Sequence, residues 1–201
     1  MNINKEGVDF IMTEESGGKV YYEEVIKKTF EWPGGASGCT AMGGVDIGYY
    51  TEDEINAIFK NLTTDNELKL IQAGRGITGS RAQSYLPKLK GITFEWDEAT
   101  HIFESYILPK FENLTARTFP GVEELCDNAQ SALVSLVFNR GTALSGERRR
   151  EMAAIRQLIP KKDYEGIAGQ LRAMKRLWGR GNGLIGRRER EAKLVESCAT
   201  S

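Results

Sequence analysis

The sequence predicts an α+β fold, with a small β-rich lobe over about residues 19–50 and a larger helical lobe over about 51–201. Three observations point that way. Between Lys19 and Tyr50 the runs VYY, WPGGASG and CTAMGGVDIGYY set β-branched and aromatic residues between Gly, Pro and Ser, the pattern of short strands and turns. After Thr51 helix-start signals recur to the end of the chain. The run DNAQSALVSLVFNRG is apolar nearly all round, which marks a central buried helix.

In chain order, Val8, Ile11 and Met12 fall at helical spacing and predict a short first helix ending near Gly17-Gly18. The β segment follows. Thr51-x-x-Glu54 and Thr64-x-x-Glu67 are capping boxes, each opening a helix. The stretch from Asp97 through EATHIFESYILPKFENL is a long helical pattern that Pro109 should kink or divide. The buried helix should end at Gly141. ERRREMAAIRQLI, DYEGIAGQLRAMKRLW and GRREREAKLVES supply the closing helices. No internal repeat or long linker is visible, so 1–201 reads as a single domain of two lobes with a groove where they meet.

Composition excludes several classes. At 40% hydrophobic and 27% charged the chain is ordinary globular protein. Residues 1–100 hold 10 Lys/Arg against 16 Asp/Glu, and residues 101–201 hold 17 against 12. That asymmetry suits a cleft with walls of opposite charge, and equally suits solvated helix faces. Residues 145–193 carry 14 Lys/Arg against 6 Asp/Glu. Without interleaved aromatics or a nucleic-acid motif, this stretch predicts no nucleic-acid partner. A basic wall attracting an anionic polymer and a solvated face are its two readings. No run approaches the ~18 apolar residues of a membrane span, and MNINKEGVDFIM lacks the parts of a signal peptide. Cys39, Cys126 and Cys198 are odd in number and widely spaced, so the expectation is free thiols made in a reducing cytosol, with no disulfide framework and no metal or cofactor site.

The chemistry should lie in the β segment. Glu15 ends the first helix, and Gly17-Gly18 let backbone crowd close to a ligand. Thr40 and Asp46 lie six residues apart across the Gly43-Gly44 turn, where an extended ribbon can point both to one face. A carboxyl at a helix end, facing a hydroxyl and a second carboxyl, can hydrolyse a glycosidic bond: one acid protonates the leaving oxygen and the other group holds water. Each signal alone has a plain structural reading, as a surface charge, a turn former or a strand residue. The lone histidine, His101, falls in a helical pattern and reads as structural, and a single histidine leaves no second candidate for a Ser-His-Asp triad.

Taken in order, Glu15-Ser-Gly-Gly-Lys-Val-Tyr-Tyr, WPGGASG and Thr40 through DIGYY resemble the pesticin-like branch of the phage-type lysozymes, whose pattern reads SGVTIGIGYDLGY. ALVSLVFNRGTALSGERRREMAAI resembles that family's core helix and following cleft wall, and MKRLW to GLIGRREREAKLVE its terminal helices. The resemblance implies a lysozyme-like fold with the active site between its lobes. The implied enzyme is a muramidase acting on bacterial peptidoglycan, with Glu15 as general acid and with Asp46 and Thr40 positioning the attacking water. Tyr22, Glu24, Asn139, Arg140 and Arg187 are further candidate substrate-binding residues.

The chain departs from the family where TIGIGYD becomes TAMGGVD, with Met42 in place of a glycine. Glu24, nine residues after Glu15, is a rival to Asp46, since better-known phage lysozymes place their second carboxylate there; Glu14 rivals Glu15. Asn139-Arg140-Gly141 reads either as a helix cap or as a sugar contact, and Trp178 as packing ahead of a sugar platform. The alternatives in function are a catalytically impaired glycan- or protein-binding module and a lytic transglycosylase. Either a holin-released endolysin or a secreted effector, the latter with an immunity protein as partner, fits a chain made in the cytoplasm that works in the periplasm or cell wall.

Overall fold

Helix α8 (Asp127–Arg140) is where sequence and burial agree most closely. Every residue from Ala129 to Val137 is buried, so the helix has no solvent face, as its all-round apolar pattern requires. It stops at Gly141, whose φ of 70° admits the turn that a side chain would resist. In the computed structural model, which describes residues 1 and 3–200 (Thr200 by its backbone alone), the chain forms two compact units, 15–108 and 1–14 with 109–201.

In the second of these units, α8 is surrounded by α9 (Arg150–Leu158), α10 (Tyr164–Ala173) and α11 (Gly183–Glu196). Met152, Ile155, Ile167, Leu171, Ala192 and Val195 meet Leu133, Leu136 and Val137 in a common core. Helix α1 (Lys5–Ser16) approaches closely through Gly7, where an added Cβ would overlap the Ser131 hydroxyl. Glu191 is fully buried on α11 and is answered by Arg187, Arg188 and Ser135, whose hydroxyl donates to it at 2.7 Å. Burial raises the Glu191 carboxyl above its ordinary value, and burial pushes the Arg188 guanidinium down to about 10.

Cys126 and Cys198 are paired as a disulfide, contrary to the expectation of free thiols. Cys126 caps the start of α8 and Cys198 lies in the turn after α11, so helix packing sets their Cα atoms 6.1 Å apart across 72 residues of sequence. Spacing along the chain carries no trace of that proximity. Cys39 remains a buried thiol.

The 15–108 unit corrects the β-rich reading at its start. Residues Gly18–Glu24 form a helix, α2, where the VYY run suggested a ribbon. Gly17 at φ 76° breaks α1 and lets a new helix begin at once. Tyr22 then fixes α2: its ring is buried edge-on to Trp96 and its hydroxyl donates to the Phe94 carbonyl at 2.9 Å. Tertiary burial of one aromatic overrides local strand preference here. What remains of the sheet is strand β1 (Thr40–Ala41) paired antiparallel with β2 (Val45–Asp46), extended by the bridges Glu31–Thr40 and Thr29–Thr93.

Both capping boxes are present, opening α3 (Glu52–Phe59) and α4 (Asp65–Ala73). A short helix, α5 (Ser80–Tyr85), and α6 (Trp96–Ile102) complete the unit. Its core is a triad of rings, Phe30, Phe59 and Phe94, with centroids 5.5–5.9 Å apart. The long pattern after Asp97 does divide: α6 gives way to a wider π turn at Phe103–Ile107, and α7 (Leu108–Thr118) starts one residue before Pro109. The overall content, mostly helix with one small sheet, is the α+β class expected. No helix among the described residues is long and apolar enough to cross a membrane.

Candidate active site

Glu15 and Glu14 sit side by side near the end of α1 and are separated by their partners. Both Glu14 carboxylate oxygens are taken by Arg190, at 2.5 and 2.9 Å, with the Glu14 side chain 4% exposed. Arg187 adds a long contact, 3.5 Å, to the Glu14 carbonyl. Glu14 is thus an internal anchor. Glu15, half-buried and a helical step of about 100° further round, is the first residue of the 15–108 unit, which also holds Thr40 and Asp46.

Thr40 and Asp46 are direct partners across the β1–β2 pair, which puts their side chains on one face as the spacing suggested. The Asp46 carboxylate is tightly held. Oδ1 accepts from the Gly38 and Gly48 N–H groups, each at 3.0 Å, and Oδ2 accepts from Gly38 at 2.9 Å. An added Cβ on Gly38 would overlap Oδ1, so Asp46 and Gly38 fit only as a pair. The loop before β1 is closed by the Trp32 indole donating to Ser37 O at 3.1 Å and by the Tyr49 hydroxyl donating to Ala36 O at 2.7 Å. Thr40 Oγ1 makes one long contact, 3.4 Å, to Gly38 O.

The β1–β2 turn explains the departure at Met42. Met42 and Gly43 have φ of 50° and 70°, both in the left-handed region, and the Gly44 N–H donates back to Ala41 O at 3.2 Å. A glycine is the natural occupant of position 42, and a methionine there costs of order 1–2 kcal/mol of backbone strain. Its side chain is buried at 1% exposure, which offsets that cost.

The remaining candidates divide by role. Tyr22 is buried and bonded as described above, and holds α2 in place. Glu24 ends α2 as an exposed residue. Asn139, Arg140 and Arg187 belong to the other unit. Asn139 Oδ1 accepts from Arg188 at 3.3 Å, and Arg140 donates to Arg148 O at 2.6 Å while its guanidinium lies 5.4 Å from the Trp178 ring centre. Arg187 is buried and donates to Ser135 O and to Glu191. His101 is an exposed residue of α6. Among the described residues no three His, Cys, Asp or Glu side chains form a metal-holding group.

One acidic residue escaped the sequence reading. Glu31 pairs with Thr40 through two backbone hydrogen bonds of 2.8 Å, on the side of Thr40 away from Asp46. In sequence it is one Glu in the run TFEW, and nothing local assigns it a partner nine residues on.

The phage lysozyme family model matches residues 59–191, about two thirds of the chain, and the protein belongs to that family. It is a lysozyme-type glycoside hydrolase whose substrate class is peptidoglycan. The matched stretch takes in Asn139, Arg140 and Arg187 and begins after Glu15, Thr40 and Asp46. Twelve chains of solved structures match. One, described as the crystal structure of the active form of P1 phage endolysin Lyz, shares 20% identity over 82% of this chain and 97% of that one, with a TM-score of 0.38. No curated protein matches.

Proposed function

We propose that the protein is a muramidase, one catalytic domain over residues 1–201, that cleaves the β-1,4 bond between N-acetylmuramic acid and N-acetylglucosamine with inversion at the anomeric carbon. Glu15 gives its proton to the leaving oxygen. A water held by the Thr40–Asp46 ribbon attacks the opposite face of the sugar. The observation that carries this reading is the direct pairing of Thr40 with Asp46 on one face of the ribbon, in the unit that begins at Glu15. The commitment of Glu14 to Arg190 supports Glu15 as the acid. No metal or cofactor enters the scheme. The cell wall is the site of action, reached either as a released endolysin or as a secreted effector, for which an immunity protein would be the partner.

Met42 in a left-handed turn is the observation that favours a second reading, a glycan-binding module that has lost turnover. Purified protein incubated with peptidoglycan separates the possibilities. Reducing-end muramic acid is expected, with the newly formed anomer inverted by NMR. Anhydro ends would identify a transglycosylase, and no fragments a binding module. Glu15→Gln should abolish fragment release with folding intact; a variant with near wild-type turnover would remove Glu15 from the scheme.

A further inference from the structure

Glu31, Thr40 and Asp46 form a row across three adjacent extended segments. Paired residues of antiparallel strands put their side chains on the same face, so the two pairings Glu31–Thr40 and Thr40–Asp46 place all three there. The Thr40 N–H and C=O are both used toward Glu31. Its pairing with Asp46 is therefore of the non-hydrogen-bonded kind, in which Cα atoms approach to about 4.5 Å, against about 5.5 Å toward Glu31. Thr40 therefore stands between Glu31 and Asp46 in the row.

Those carboxylates differ in their partners. Asp46 meets backbone N–H donors through both of its oxygens. The Glu31 carboxylate makes no hydrogen bond or ion pair to any described residue, and its side chain is one methylene longer. The residue keeps much of its surface in solvent, yet nearby atoms crowd the carboxyl, and desolvation raises its pKa above the ordinary carboxylate value. A base with a pKa moved toward working pH is the better proton acceptor.

We propose that Glu31 is the proton acceptor of the hydrolysis, taking its proton from a water shared with the Thr40 hydroxyl, while Asp46 holds the ribbon that carries Thr40. This assignment rests on the muramidase reading. The water oxygen bonds to the anomeric carbon as the bond from that carbon to the glycosidic oxygen breaks. The leaving oxygen takes the Glu15 proton, and the second proton of the attacking water passes to Glu31. Exchange with solvent restores both carboxyls.

The test compares wild type, Glu31→Gln and Glu31→Ala on purified peptidoglycan, with folding checked by circular dichroism. Glu31→Gln should lower kcat by about 100-fold, within the range general-base groups contribute. It should also remove the acidic limb of the kcat–pH profile, because a base is lost as pH falls through its pKa. Sodium azide should rescue cleavage by Glu31→Ala and yield a glycosyl azide, azide bonding to the anomeric carbon in place of water. Turnover of Glu31→Gln within about twofold of wild type would overturn the assignment. So would a fall in rate with the acidic limb intact and no azide rescue, which marks a structural role. A wild-type protein that releases no reducing ends would defeat the muramidase reading itself, and the assignment with it.

Discussion

Removing the Cys126–Cys198 disulfide should cost the protein about 4 kcal/mol. Helix packing brings the two Cα atoms to 6.1 Å, within the reach of an ordinary disulfide, so the bond closes a loop of 72 residues. On the chain-entropy account, closing a loop of that length removes about 15 cal/mol/K from the unfolded ensemble, or roughly 4.4 kcal/mol at 25 °C. The perturbation is Cys126→Ala with Cys198→Ala, since alanine fits sites that already pack against the apolar core. Cys39 will not confuse the result. It is buried, donates to Ala82 O at 3.3 Å, and burial together with nearby Asp46 pushes its thiol up to about 11. Urea unfolding followed by circular dichroism reads the loss. With m about 2 kcal/mol/M the midpoint should fall by about 2 M, and reductant added to wild type should reproduce the shift. Thiol titration in denaturant should find one free thiol before reduction and three after. A double variant within about 0.5 kcal/mol of wild type, or three thiols without reductant, would refute the reasoning.

Asp46→Asn should lower turnover by at least ~100-fold, since the ribbon's grip on Gly38 and Gly48 weakens and a small misplacement costs about that much. Exposed Glu24→Gln should cost less than ~10-fold in the same fragment-release assay, and the reverse order would restore Glu24 as the second carboxylate. Tyr22→Phe strands the buried Phe94 carbonyl and should cost about 1–3 kcal/mol in urea unfolding; no change would mean that α2 is held by other contacts. Lys175 and Arg172 hold the Glu189 carboxyl down to about 2, below its unfolded value of about 4.3. Its contribution is therefore complete above about pH 4 and is lost as pH falls toward 2. Glu189→Gln should flatten the stability–pH slope in that window, and an unchanged slope would exclude the pairing as a source of acid sensitivity.

Local signals were read well where local physics decides. A threonine three residues before a glutamate forms the same reciprocal cap in almost any context, and both predicted boxes are present. The buried helix ending at Gly141 needed only its apolar girth and a glycine in the left-handed region. The VYY run misled because strand preference is weak beside the burial of a single Tyr22 ring. The pairing of Thr40 with Asp46 was legible because a tight glycine turn fixes register over a few residues.

Side-chain partners were another matter. Glu14 and Glu15 are adjacent and chemically identical, and it is Arg190, distant in sequence, that takes up Glu14. Cys126 and Cys198 read as thiols until packing of α8 and α11 brought them together. Glu31 had no meaning before the chain returned at Thr40 to pair with it. The sequence by itself determined the α+β class, the helix starts and stops and the glycine-bounded ribbon, because caps, turns and periodicity act over three to seven residues. Tertiary structure alone decided which carboxylates are held, which stand open and which thiols are joined, because those depend on contacts between residues far apart in the chain.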